Sequence, residues 1–363
     1  MAKYTVKHIN TVDIAEGMVL AEDVIYSNGL LLFPKNTVIT DRHILKLSLY
    51  NIRSVYIKDF IDDPTYTKAP IKRELTPQQI KTRRNFIKFN EDYKVQENKV
   101  KDSLNEISDG RSVKITDLFS ISSNLVSDLG TQSDLFNHLC HLKTSDDTTY
   151  THCLNVSMLC NIFARWLHFT NSQIEALTVA GLLHDIGKMK INPNILNKPG
   201  KLTKEEFEII KKHPKIGYDM IKDRDFDEGI KQAILLHHEK MDGTGYPFGL
   251  SWDKIHPYAK IVSIVDIYDA MTSERTYHHR YSPFKVIKIF EEECYGILDT
   301  EYMYIFLEHI AHNYIGSIAR LSTGEECEIK FIHKKAPSRP IVQVDNNMID
   351  LEQENDIHIE EIL

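Results

Sequence analysis

Between Ile115 and Tyr314 apolar residues recur at helical spacing almost without a break, and this run limits the possible folds more than any other feature. Ile115–Leu129, Leu135–Leu142, Tyr150–His168 and Ser172–His184 carry it first. Thr203–His213, Ile216–Lys222, Glu228–Glu239, Tyr258–Ser273, Pro283–Glu293 and Glu301–Tyr314 follow. Apolar positions at i, i+3, i+4 and i+7 give each helix one face to bury, so the segments must pack on one another as a single all-α domain.

The flanks read differently. In residues 1–60, short β-type runs lie within Val12–Val24 and Leu30–Val38, separated by the turn residues Ser27-Asn28-Gly29 and Pro34-Lys35-Asn36. Thr40 opens a helix to Leu49, and Arg53–Ile57 reads as a closing strand. This is a small α/β or β-rich unit, either a regulatory or partner-binding module or a plain appendage. A linker with Asp62, Asp63, Pro64 and Pro70 follows. Pro77 then starts a long helix that Gly110 stops. Phe86, Tyr93, Val100 and Ile107 recur every seven residues along it, a seam that suits either a homodimeric coiled coil through residues 77–109 or packing on the next domain. Past residue 316, Ile318–Leu321, Cys327–Ile332, Pro340–Val344 and Ile357–Ile359 read as strands. The expected fold is therefore mainly α with a small N-terminal domain and a small C-terminal β appendage, divided as 1–60, 61–130, 131–316 and 317–363.

Composition removes several function classes. The 363 residues carry a net charge of −8, so there is no global basic footprint for nucleic acid. No apolar run reaches the length of a membrane span, and the N-terminus lacks a signal-peptide core. The five cysteines, Cys140, Cys153, Cys160, Cys294 and Cys327, are odd in number and show no CxxC spacing. That argues against a disulfide framework and for a reducing cytoplasm. The 17 histidines turn attention to metal chemistry.

The apolar run Ala176–Leu183 ends on His184-Asp185; Gly187 is expected to break the helix, and Lys188 follows. A neutral imidazole nitrogen beside a hard carboxylate oxygen suits Fe, Mn or Zn rather than Ca. Lys188 adds positive charge where a phosphate could sit. The dipeptide alone is equally compatible with a capped helix end. Further donors lie along the helical run: His152 early in its helix, His213-Pro214 and His237-His238-Glu239 at helix ends, and Asp266 with Asp269 three residues on. Each has an ordinary structural reading when taken singly. Two segments add weight. His237–Pro247 reads HHEKMDGTGYP, a loop in which Gly243 and Gly245 give backbone freedom, and Asp266–Tyr277 reads DIYDAMTSERTY.

Over about residues 135–316 these segments resemble, in order, the HD-GYP phosphodiesterases, a branch of the HD metal-dependent phosphohydrolases. HDIGK, LNKPGKLTKEEFEIIKKHPKIG, HHEKMDGTGYP and DIYDAMTSERTY carry the resemblance. It implies that His184, Asp185, His213, His237, His238 and Asp266 hold two divalent transition-metal ions with Asp185 between them. Fe or Mn is the expected pair, with Zn, Ni or Co compatible. His152 becomes a ligand if a third site is occupied, but the glutamate of three-metal members is replaced here by Thr148. The resemblance further implies cyclic di-GMP as substrate, attacked by a water activated between the ions to give linear pGpG and then, if cleavage continues, GMP. Asp185 and Lys188 stand at the chemistry. Arg275, Lys188, Tyr246, Gly245, Asp269 and His278 stand at the substrate, with Tyr246 equally readable as an aromatic plug and Asp269 as a support for the ligands. His278 replaces a usual Lys or Arg. Two other readings stay open: a catalytically weak module that senses the dinucleotide, and an HD hydrolase of another cyclic dinucleotide such as 3′,3′-cyclic GMP-AMP.

Overall fold

The computed structural model describes residues 4–363 apart from 11–13, 15–16, 26–30, 41–42, 44–46, 48–51, 53, 61–76, 130–131, 142–147, 199, 201, 273–280 and 355. Two compact units emerge, Met1–Asn90 with His141–Lys143, and Glu91–Cys140 with Thr144–Leu363.

The first unit is β-rich. Strands β1 (Tyr4–Asn10), β2 (Val19–Leu20), β3 (Val24–Ile25), β4 (Leu31–Phe33) and β5 (Ser54–Phe60) form an antiparallel sheet ordered β1-β5-β2 and a β3-β4 ribbon. β1 and β5 pair from Tyr4 opposite Phe60 to Asn10 opposite Ser54. Leu20, Val24, Phe33, Ile39, Leu47, Val55 and Ile57 fill the core. β1 is an addition to the expected strands: Tyr4 and Val6 are exposed and only Ile9 packs on the core, so no apolar alternation marks a buried face. The expected Thr40–Leu49 helix lies largely outside the described residues.

The second unit holds the C-terminal part of α1 (Pro77–Ser108) and then α2 (Ile115–Ser127), α3 (Gln132–His141), α4 (Thr148–Trp166), α5 (Asn171–Leu183), the short α6 (Pro193–Leu196), α7 (Lys204–Ile210), α8 (His213–Ile221), α9 (Glu228–Leu236), α10 (Pro257–Thr272), α11 (Pro283–Glu293) and α12 (Thr300–His312). α1 stops as its glycine requires. Gly110 takes φ +83° and its N–H donates to the Ile107 carbonyl, while that of Arg111 reaches Glu106. The Arg224 guanidinium donates to the carbonyls of Ile107 and Arg111, satisfying groups a helix end leaves open. Tyr93, Val100, Leu104 and Ile107 are buried within the single chain. The part of the seven-residue seam beyond Glu91 is thus covered by the chain's own helices, and nothing in the structure supports the homodimer expected there.

α4 and α5 form the centre of this unit. α4 is buried continuously from Thr151 to Ala164, and buried polar groups along it find partners: Ser122 donates to Ser157, and Asn161 to Thr178. α5 opens on a reciprocal cap in which Thr170 and Gln173 bond each other's backbone. Beyond α12 come β6 (Ile318–Leu321), β7 (Glu326–His333), β8 (Ala336–Val344), β9 (Asn347–Asp350) and β10 (Ile359–Ile362), an antiparallel sheet ordered β10-β6-β7-β8-β9. Glu291 of α11 accepts from the Ser338 hydroxyl and N–H, and Ser282 donates to the Ile359 carbonyl. The sheet therefore belongs to the same compact body as the helices. No described helix is long and apolar enough to cross a membrane.

Candidate metal centre

The end of an α-helix leaves carbonyls without intrahelical partners, and three histidines use them. His184 caps α5 and its Nδ1 donates to the Gly181 carbonyl at 2.8 Å. His213 follows α7 and donates to Ile210 at 2.8 Å. His237 caps α9 and donates to Ile234 at 3.0 Å. A carbonyl only accepts, so Nδ1 carries the proton in each ring and the Nε2 lone pair points away from the helix. All three side chains are buried.

These lone pairs converge on Asp185, which separates two groups of donors. Its Oδ1 lies 3.1 Å from His213 Nε2 and 3.9 Å from His237 Nε2. Its Oδ2 lies 3.4 Å from His184 Nε2 and 3.8 Å from His152 Nε2. Asp266 Oδ1 completes the second side, 2.9 Å from His152 Nε2 and 3.8 Å from His184 Nε2. Asp185, His213, His237 and His238 form one group and His152, His184 and Asp266 the other, with ligand atoms within 4.8 Å of one another in each. Two details fit a cation. His213 and His237 bring their Nε2 atoms to 3.3 Å, lone pair to lone pair. Two nitrogens bound to one ion at about 2.1 Å would lie about 3.0–3.4 Å apart, depending on the angle between them. His184 Nε2 and Asp185 Oδ1 are also buried without a hydrogen-bond partner, which is costly unless something electropositive faces them. Mixed imidazole and carboxylate donors suit a first-row transition metal.

Charge is distributed to match. Burial, and then the neighbouring imidazoles, hold His237 well below its ordinary pKa. Burial also lowers His238, to about 3, so both rings are neutral at pH 7. Burial pushes His152 the same way, but its hydrogen bonds to Asp266 and Asp269 outweigh that and raise it to about 9. Asp185 stays ionised despite its burial because the Lys188 ammonium faces it. Lys188 pairs with Asp185 Oδ2 and keeps its charge; its side chain is 23% exposed, against 2% for Asp185, so it sits toward the open side.

Backbone approaches hold this arrangement. α5 has ended before Gly187, whose place is in a 3-10 turn, Ile186–Lys190. Its role is therefore close approach, not helix breaking: a Cβ there would stand 2.0 Å from the His213 carbonyl oxygen and 2.7 Å from Gly217 N. Gly245 similarly lies where a Cβ would meet the His238 oxygen at 2.5 Å. Beside it, the Tyr246 N–H donates to the His238 carbonyl, and the Tyr246 ring packs against the His238 ring with centroids 4.6 Å apart. Glu239 fastens the loop by accepting from Phe248 N and Leu250 N at 2.7 and 2.8 Å.

The other expected residues fall as follows. His152 lies with His184 and Asp266 in the second donor group. His213 begins α8 instead of closing the preceding helix. Asp269 is buried behind His152, with both oxygens accepting, from His152 Nδ1 and Asn155 Nδ2, so it does not present itself to a substrate. Arg275 and His278 lie outside the described residues. Asn155 and Gly217 were not singled out by motif, although Asn155 stands one turn from His152 on the same helix.

This architecture matches known proteins. Residues 130–299 match the HD domain family model, and that segment of the chain is an HD domain. The chain is 37% identical over 207 residues to a cyclic di-GMP phosphodiesterase of Pseudomonas aeruginosa, covering 57% of this chain and 50% of the relative. It is 33% identical over 153 residues to 3′3′-cGAMP-specific phosphodiesterase 3 of Vibrio cholerae, covering 42% and 33%. The chain thus spans between a third and a half of the length of these curated relatives. In fold it is similar to an HDG"Y"P protein from Bdellovibrio bacteriovorus, with TM-score 0.50 and 18% identity, over 83% of this chain and 98% of that one.

Proposed function

We propose that the chain is a metal-dependent cyclic-dinucleotide phosphodiesterase that opens cyclic di-GMP to linear pGpG. The observation that carries this reading is Asp185, which turns one carboxylate oxygen to each of two donor groups, with Lys188 beside it on the open side. The groups Asp185–His213–His237–His238 and His152–His184–Asp266 would hold one ion each, Fe or Mn by preference. Two such ions supply Lewis acidity toward the phosphate, an activated water and a charge partner for the leaving oxygen. The chain's own residues do the remaining work. Lys188, its ammonium kept charged by Asp185, neutralises a phosphate oxygen at the mouth. Arg275 and His278 follow α10 and take the other phosphate by charge and hydrogen bonding. Tyr246 and Gly245 brace the His238 ring, and their contact with the nucleotide is secondary. His237 and His238, held neutral by burial, need lose no proton to act as ligands.

The relative from Vibrio cholerae, named for 3′3′-cGAMP, favours a second substrate reading. Protein purified without oxygen and loaded with Fe or Mn is tested on cyclic di-GMP, 3′,3′-cyclic GMP-AMP and cyclic di-AMP, with products resolved by chromatography. The expected result is pGpG as first product and loss of turnover in Asp185→Asn. Preference for the mixed dinucleotide would move the assignment to the second reading. Tight binding with no product would make the site a sensing module.

A further inference from the structure

A buried line of hydrogen bonds ties the centre to α1, and the ligand set itself does not require it. The Tyr93 hydroxyl donates to Asn155 Oδ1 at 2.7 Å and lies 3.4 Å from the Thr151 carbonyl. Asn155 Nδ2 donates to Asp269 Oδ1 at 2.9 Å. Asp269 Oδ2 accepts from His152 Nδ1 at 2.7 Å, and His152 Nε2 faces Asp266 at 2.9 Å. Tyr93, Asn155, Asp269 and His152 are 3%, 5%, 3% and 8% exposed, so water does not compete for these contacts.

The line has one polarity. An ionised carboxylate only accepts, so Asp269 turns the Asn155 NH2 toward itself. The amide oxygen must then face Tyr93, and the phenol must donate. Burial, reinforced by the charge of Asp269, keeps that phenol protonated. His152 differs here from His184, His213 and His237, each fixed by a carbonyl three residues back in the chain. His152 is oriented by a side chain from α10, steadied by one from α4, which is steadied in turn by one from α1. Its aim depends on how three helices sit together.

We propose that Tyr93 is a positioning residue for the metal centre: acting through Asn155 and Asp269 on His152, it makes the seating of α1 on α4 set how tightly the His152–His184–Asp266 group holds its ion. This rests on the two-ion reading above, and the test separates the two. Full-length metal-free protein is titrated with Co²⁺, followed by its visible bands and by calorimetry, for wild type, Tyr93→Phe, His152→Ala and the double variant. Tyr93→Phe keeps the ring and removes only the donor. The expected result is two ions in wild type, with one of them held about 10-fold more weakly in Tyr93→Phe and the other within about twofold of wild type. In the His152→Ala background, Tyr93→Phe changes nothing further, because the coupling has lost its end point. Asn155→Ala, which breaks the line one step nearer the metal, gives at least the same selective loss and covers the case in which Tyr93→Phe folds poorly. Two ions held with unchanged affinity in Tyr93→Phe and Asn155→Ala, or both ions weakened equally, overturn the positioning role alone. Wild-type protein that takes up no Co²⁺ overturns the metal centre and this inference with it.

Discussion

A single methyl group at Gly187 would do as much damage as a typical core truncation. The turn there lies so close to the start of α8 that a Cβ would overlap the His213 oxygen at 2.0 Å, and that oxygen belongs to backbone that cannot swing aside. Gly187→Ala is expected to cost about 3 kcal/mol of unfolding free energy. It should also loosen metal uptake by moving His213 away from Asp185. A melting curve and a metal content equal to wild type would contradict this. Glu239 offers a milder case. Glu239→Ala leaves the N–H groups of Phe248 and Leu250 without their acceptor, a loss of about 1–3 kcal/mol for each that stays buried. Amide hydrogen exchange at those two positions should accelerate at least about 10-fold, with little change in α4 and α5. At this scale the donors His184, Asp185, His213, His237, His238 and Asp266 were legible because long motifs flank them. Asn155 and Tyr93 were not: Asn155 is one of several polar residues along α4 and nothing in the pattern sets it apart, and Tyr93 reads as one more seam residue.

Helix ends, more than helix faces, build the centre. α5 and α9 finish one residue before a ligand and α8 begins on one, so spent carbonyls fix the ring tautomers. Caps and stop signals made these boundaries readable to within a few residues: α11 runs over Pro283–Glu293 as expected, and α5 ends a residue before His184. β1 was invisible because Tyr4 and Val6 face outward and Ile9 alone packs on the core. A pH dependence follows for the metal-free protein. His152, raised to about 9, contributes stability that is complete below its unfolded value of about 6.5 and is lost as pH rises through about 9. His238 runs the other way: the unfolded ring takes a proton near 6.5 that the folded one refuses until about 3, so stability falls as pH drops below about 6.5. Metal-free protein should therefore melt highest near pH 6.5–7, with both limbs sloping down. His152→Asn should flatten the alkaline limb alone, as scanning fluorimetry across pH 5–9 can check.

At the scale of the whole molecule, the HD domain carries the C-terminal sheet with it, while the β-rich N-terminal strands form a unit of their own. Strand positions in the C-terminal segment were legible from alternation, but their docking on α11 was not, since the half-buried Glu291 carboxylate and the Ser282 hydroxyl, which make its hydrogen bonds, carry no periodic signal. The seven-residue seam of α1 shows why periodicity cannot name a partner: the same spacing serves a second copy or the chain's own helices, and beyond Glu91 the latter cover it. If the centre holds ions, it also stabilises this body by mass action. Each ion present at about 100 times its dissociation constant adds about 2.7 kcal/mol, so chelation should lower the melting temperature and Mn²⁺ should restore it. The most direct test is anomalous diffraction from crystals of the full chain loaded with Mn²⁺. Two peaks are predicted, one beside Asp185 Oδ1 among His213, His237 and His238, the other beside Oδ2 among His152, His184 and Asp266. A single peak, or none within reach of Asp185, would contradict the account.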